Sequence, residues 1–240
     1  MTCLFYSTLL IDMFSQPTIF FIIIIFVGVI IFFINFYNTK NTILRELKKG
    51  KRKAIRHAKE NEYIKIIGKA KYVNEPLIAP LSGRKCVYYH VLVERKGDKS
   101  WHNLIDETIS QDFFIETKGE MALIKPNQPK NFKKIYLVKD HTKNSGFLND
   151  ATERLELYLK KHDETSTNFI GLNKTIRYRE GIIELNENIA IKGIANWKSI
   201  KEPIEGYLHS KILLLKGSAG KKLIITDLPK ALDLVKTNRE

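Results

Sequence analysis

Apolar and polar positions divide this chain into stretches of very different texture. From Thr18 to Ile34 almost every residue is Ile, Phe or Val, and no charged residue falls between Met13 and Thr39. At a helical rise of about 1.5 Å, the run Thr18 to Tyr37 covers about 30 Å, the depth of a bilayer's hydrocarbon core. The pattern predicts a membrane-spanning helix over 17–37, behind a stub at 1–16 expected outside the membrane. A cleaved leader needs a positive start and a small-residue cleavage site after a shorter apolar stretch. No Lys or Arg precedes Lys40 and no such site follows the run, so the helix reads as a retained anchor.

Residues 38–60 carry a second helical pattern, weakened at Gly50 by about 1 kcal/mol relative to alanine. From Tyr63 the texture becomes short β-branched and aromatic runs between turn residues. Strands are expected at 63–73, 86–95, 112–117, 121–125, 135–138, 188–195, 211–215 and 222–226. Thr117-Lys118-Gly119-Glu120 reads as a tight hairpin turn, and the segment Lys216 to Lys221 as a second one. One helix is expected over 150–161, with Leu155, Tyr158 and Leu159 on one face and Asp150 as cap. A short helix after Pro229 opens a tail at 229–240. Ile67-Gly68-Lys69-Ala70 echoes Lys192-Gly193-Ile194-Ala195, which fits either two β units of one design or chance. The fold class is therefore membrane-anchored and mainly β (α+β). One N-terminal span precedes a single barrel- or sandwich-like domain at 61–228 with one or two short helices.

Charge sharpens the picture. The chain's formal net charge is +14. Residues 40–59 hold nine basic side chains against Glu46 alone, so 9 − 1 = +8 of that total lies beside the span. Basic residues hold their end of a span in the cytoplasm, placing the N-terminus outside and the β-rich part inside. Lys48, Lys49, Lys51, Arg52, Lys53 and Arg56 are expected to meet anionic headgroups, at about 1 kcal/mol per basic residue near the surface. The remaining +6 is ordinary for a soluble domain. The run Lys174 to Arg179, basic residues interleaved with aromatics, suits nucleic acid but equally any basic strand, so nucleic-acid binding is disfavoured.

Catalytic and metal chemistry find few candidates. Cys86 and His90 lie four residues apart in a strand, facing one way about 13 Å apart, too far for a nucleophile and its base at about 3 Å. Cys86 reads as a small buried hydrophobe. The loop Gly217 to Lys222 has too short a glycine spacing for a phosphate loop and no Ser or Thr after its lysine. Six scattered histidines and two cysteines form no metal-ligand spacing. Asp106-Glu107 and Glu184/Glu187 are carboxylate pairs that read as solvated turn residues, and Trp101 and Trp197 as packing residues. No cofactor is expected.

One stretch is more specific. The segment Ala79 to Glu94, APLSGRKCVYYHVLVE, resembles the signature of the GIDE-type domain, also called BAM (beside-a-membrane). That domain is known from MULAN-type mitochondrial ubiquitin ligases and from prokaryotic membrane proteins. Further pieces agree in order: IKIIGKAKYVNEPLIAP, SWHNLIDET, FFIETKGEMALIKP, RYREGIIELNENIAIKGIANW and KKLIITD, together covering about residues 62–228. The resemblance implies structural roles for Gly68, Ala70, Pro80, Leu81, Ser82, Gly83, Cys86, Tyr88, Tyr89, Trp101, Gly119, Gly193 and Ala195. The family's ligases also carry a second span and a zinc-binding RING finger, and this sequence has neither a second apolar run nor ligands enough for one zinc. The expected function is thus a non-catalytic interaction module at the cytoplasmic face of a membrane, binding lipid headgroups and a protein partner. A ubiquitin-transferase-like activity is the family alternative, and nucleic-acid binding is third. Heavy use of Lys, Ile and Asn fits an AT-rich prokaryote.

Overall fold

The computed structural model describes residues 16–50, 52–146, 149–168, 170–200 and 210–233. Two units divide at Arg45. In the first, helix α1 (Gln16–Tyr37) is the expected apolar rod. Its window Ile19–Tyr37 has mean hydropathy 3.2 and none of it is buried, so it is long and apolar enough to cross a membrane. Asn38 ends it and caps helix α2 (Thr39–Lys48), its Oδ1 accepting from Lys40 N at 2.9 Å. Arg45 lies 3.8 Å from the Phe36 ring centroid and donates to the Phe36 carbonyl, a cation at the negative end of α1.

The basic helix expected over 38–60 stops at Lys48. Gly50 follows, Arg52 bridges in parallel to Lys65, and one 3₁₀ turn at Ile55–His57 completes the connection. Backbone groups that would have extended the helix are spent on a strand instead, as in Lys53 N donating to Lys65 O.

Everything from Glu46 onward forms one compact unit, mainly β. Its strands are β1 (Tyr63–Tyr72), β2 (Leu77–Ile78), β3 (Lys85–Lys96), β4 (Trp101–Ser110), β5 (Phe113–Thr117) and β6 (Glu120–Ile124). After them come β7 (Lys133–Tyr136), β8 (His141–Ser145), β9 (Ile176–Glu184), β10 (Asn188–Ser199), β11 (Lys211–Lys216) and β12 (Leu223–Thr226). Helix α3 (Glu153–Lys161) precedes β9, and α4 (Pro229–Asp233) follows β12.

Five strands close into a barrel in the order β1-β5-β6-β11-β10 and back to β1. Every contact in the ring is antiparallel except β6 with β11. Numbered along the chain, these strands run 1-2-3-5-4-1, the Greek-key order of an OB-type barrel. Ile66, Phe113, Ile115, Ile124, Ile191 and Leu213 fill it. The two strands of the sequence echo, β1 and β10, are neighbours there, with Gly193 opposite Ile64. Beta12 and β7 extend the sheet beside β10.

The second sheet runs β2-β3-β9-β8, with β4 also on β3. Helix α3 covers one face, seating Leu155, Tyr158 and Leu159 against Tyr89, Val91 and Tyr178. Its cap is Thr152, whose hydroxyl accepts from Leu155 N. Asp150, the expected cap, instead accepts from Asn173 at 2.7 Å.

Both glycine-bearing turns can be compared with expectation. Lys118 and Gly119 take φ of +53° and +76°, the two positive angles of a type I′ hairpin between β5 and β6. The 216–221 segment is no hairpin, because β11 and β12 pair along the same edge of β10 and not with each other. The tail helix is described over Pro229–Asp233, and residues 1–15 of the expected stub 1–16 and 234–240 of the expected tail lie outside the described residues.

Candidate functional site

The signature stretch builds a carboxylate clamp. Glu180 on β9 is fully buried, and its two oxygens accept from Leu81 N at 2.8 Å and Ser82 N at 3.0 Å. Gly83 turns the chain with φ +73°, and a Cβ there would lie 2.6 Å from the Arg154 guanidinium. Pro80 precedes this turn and stiffens it. The clamp therefore fastens the β2–β3 turn to the middle of the second sheet.

A β-bulge then resets the alternation of β3. Its register against β9 shifts between Cys86 and Tyr88, so Val87 and Tyr88 both join the barrel core while Cys86, Tyr89 and Val91 face α3. The expectation that Cys86 and His90 share a face is corrected accordingly. His90 pairs with Asp106 at 2.8 Å on the other side. Burial pushes the Cys86 thiol up to about 12, with Glu180 adding to the effect, and such a thiol is not a nucleophile at neutral pH.

The other signature residues also do structural work, in two separate places. Ala70 and Ala195 are buried in the barrel, Gly193 packs against Leu215 and Leu223, and a Cβ on Gly68 would sit 2.2 Å from the Glu116 carbonyl. Trp101 lies on the second sheet under the Arg177 guanidinium at 4.2 Å. Arg177 grips Glu94 with bonds of 2.7 and 2.8 Å, and Arg179 binds the same carboxylate. These bonds hold Glu94 below the ordinary carboxylate range. The basic-aromatic run that suited nucleic acid spends both arginines on this internal pair.

Sequence reasoning missed the most heavily buried cations. Lys65 and Lys192 face each other across β1 and β10 and are 3% and 4% exposed. Lys65 Nζ donates to Leu47 O at 3.0 Å, and Lys192 Nζ to Glu46 O at 2.7 Å. Positive charge at the carbonyl end of a helix is favourable. Burial, first of all, depresses both pKa values. Lys192 also lies 4.6 Å from the Tyr63 ring centroid.

The basic cluster is less free than its sequence promises. Lys49 pairs with Glu46 at 3.1 Å, Lys53 with Glu62 at 2.6 Å and Arg56 with Glu120 at 3.1 Å. Lys48 and Arg52 have no acidic partner among the described residues, and Lys51 lies outside them.

The Asp106-Glu107 pair lies within β4, not in a turn, and separates, whereas Glu187 accepts from Glu184 N at 2.8 Å. Asp106 binds His90, whereas Glu107, on the opposite face, accepts from Tyr158 at 2.8 Å and Tyr89 at 3.3 Å. Burial, and then Glu107, raise both phenols. Near the junction of the two sheets, burial pushes Glu187 up to about 7 and Asp227 up to about 6. Neither cluster is matched by a metal-ligand group, none being found among the described residues. Gly217 is held by Gln128, at 2.9 Å from N to Oε1, against the Phe132 carbonyl, a packing role and not a phosphate loop.

Among the described residues an open groove of about 990 Å³ lies on the outer face of β1, β5 and β6. Tyr72, Phe114, Met121 and Leu185 give it an apolar floor, and Lys71, Lys85, Glu75 and Glu116 a charged rim. Phe114 and Met121 are outward positions of the second and third barrel strands, Tyr72 belongs to the first, and Leu185 follows β9. Compared with known proteins, the chain matches no family model, no curated protein and no solved structure.

Proposed function

We propose that this chain is a membrane-anchored, non-catalytic interaction module of the GIDE/BAM kind. The carrying observation is α1, whose apolar side chains from Ile19 to Tyr37 are wholly unburied. Such a rod needs lipid around it. The basic residues that follow orient it with the β-rich unit at the cytoplasmic surface, in a prokaryotic cell membrane on the composition. Exposed Lys48 and Arg52 supply headgroup contacts.

The groove supplies the protein contact. An apolar floor with a rim of two lysines and two glutamates suits an extended segment that lays apolar side chains on the floor and polar ones at the edge. Side chains with reactive chemistry are occupied in structural bonds, as Cys86, Glu107 and Glu180 show, which supports binding over catalysis.

The experiment places a photo-crosslinking residue at Tyr72, half exposed in the groove, in the full chain within native membranes. The expected result is one dominant crosslinked protein, lost when the outward-facing Met121 is changed to Glu, in a fraction that resists carbonate extraction. Release of the chain by carbonate overturns the anchor. Turnover of a substrate by the purified chain alone, or discharge of a charged ubiquitin-conjugating enzyme, overturns the non-catalytic reading.

A further inference from the structure

We propose that a second, smaller hollow beside the β5–β6 turn is a binding site for a phosphate-type anion. It encloses about 350 Å³ and is lined by Arg52, Lys69, Thr117, Lys118 and Asn188, with Glu116 at one side. Three cations face one acid, and that acid is already engaged by Lys71 at 3.4 Å. Arg52, Lys69 and Lys118 have no acidic partner among the described residues. Their neighbours Lys49, Lys53, Arg56 and Lys71 each have one. Four neighbouring cations are thus neutralised, and the three that line the hollow are not.

The site is also pre-shaped. Arg52 Nη2 donates to Ile67 O at 3.2 Å and to Thr117 Oγ1 at 3.3 Å, which fixes the guanidinium and leaves its other N–H groups for a ligand. A hydroxyl that accepts from arginine keeps its own proton to donate, so Thr117 offers a second donor. Lys118 stands at the first position of the turn, where its positive φ holds it beside the hollow. Gly68 forms part of the wall. A rigid guanidinium fork with ammonium groups and a hydroxyl matches a tetrahedral, multiply charged oxyanion.

The proposal deepens the membrane-surface reading, since a lipid phosphomonoester is one source of such an anion and a soluble phosphate ester the other. The test uses the full chain in neutral detergent micelles, titrated calorimetrically with inorganic phosphate and, separately, with micelles containing phosphatidic acid. Saturable binding is expected for at least one probe. Lys69→Gln with Lys118→Asn should weaken it about tenfold or more, at unchanged melting temperature, because asparagine tolerates positive φ. Binding of phosphatidic acid alone identifies a headgroup site, and equal binding of phosphate identifies a soluble ligand; both support the hollow. No saturable binding by the native chain, or binding untouched in the double variant, overturns it. Carbonate extraction of the same protein reads the anchor separately, so a chain that washes off membranes yet binds phosphate loses only the anchor.

Discussion

Along α1, Ile22 to Ile25 stand 50–65% exposed, whereas Ile66, Ile115, Ile124 and Ile191 in the barrel are sealed from solvent. The side chain is the same and its treatment is opposite. A helix satisfies its own backbone and can turn every side chain outward, as α1 does. A barrel strand needs neighbours for its backbone, and closing the ring makes an interior that shelters half of each strand. Apolar content therefore says little until the backbone that carries it is known.

The comparison predicts a double dissociation, and its largest arm is in α1. Ile24→Arg with Val27→Arg near the middle of the span should cost about 6 kcal/mol of insertion, at about 3 kcal/mol each. Carbonate washing should then release the chain while the melting of the β-rich unit stays put; retention in the pellet would break the contrast. The barrel arm is next. Phe113→Ala, at a fully buried position, should destabilise the unit by about 3–5 kcal/mol and leave membrane retention unchanged. Chemical denaturation measures it, and a loss below about 1 kcal/mol would mean the barrel interior is less sealed than it looks.

The smallest arm concerns acids placed among the apolar residues. Glu187 and Asp227 are pushed up by burial to about 7 and about 6, from ordinary values of 4.5 and 3.8. The folded state therefore binds protons more tightly than the unfolded one. Their contribution to stability should be fully present below about pH 4 and be lost as pH rises through 6 and 7. Glu187→Gln should flatten that slope and raise the melting temperature at pH 8. A parallel pH profile in the variant would show that this carboxyl is not buried in charged form.

Much of the fold was legible from periodicity. The β-branched runs located β1, β3, β5, β6, β10, β11 and β12 within a residue or a few of their observed ends, and Lys118-Gly119 announced its turn. Beta8 was not legible: His-Thr-Lys-Asn-Ser is polar throughout and pairs only at a sheet edge. The facing of Cys86 was misjudged because a bulge adds one residue to the alternation, and only the partner strand reveals it. The clamp on Glu180 and the lysine contacts to Glu46 and Leu47 join residues far apart in sequence, so no local spacing encodes them. The groove likewise gathers β1, β5 and β6 with the turn after β9. Its floor residues looked like ordinary strand positions one by one.

The parallel pair that completes the ring sets a timetable for biosynthesis. Ala122 finds its partner in Leu213, about ninety residues later, so β6 must wait, with one edge bare, until most of the chain has left the ribosome. Contacts of such long range fold slowly and leave nascent strands open to mispairing. The greasy rod α1, by contrast, emerges before the barrel and, on the proposed anchoring, can engage the insertion machinery early. Tethering the growing polypeptide at a bilayer would then keep unfinished copies apart while the last stave is made.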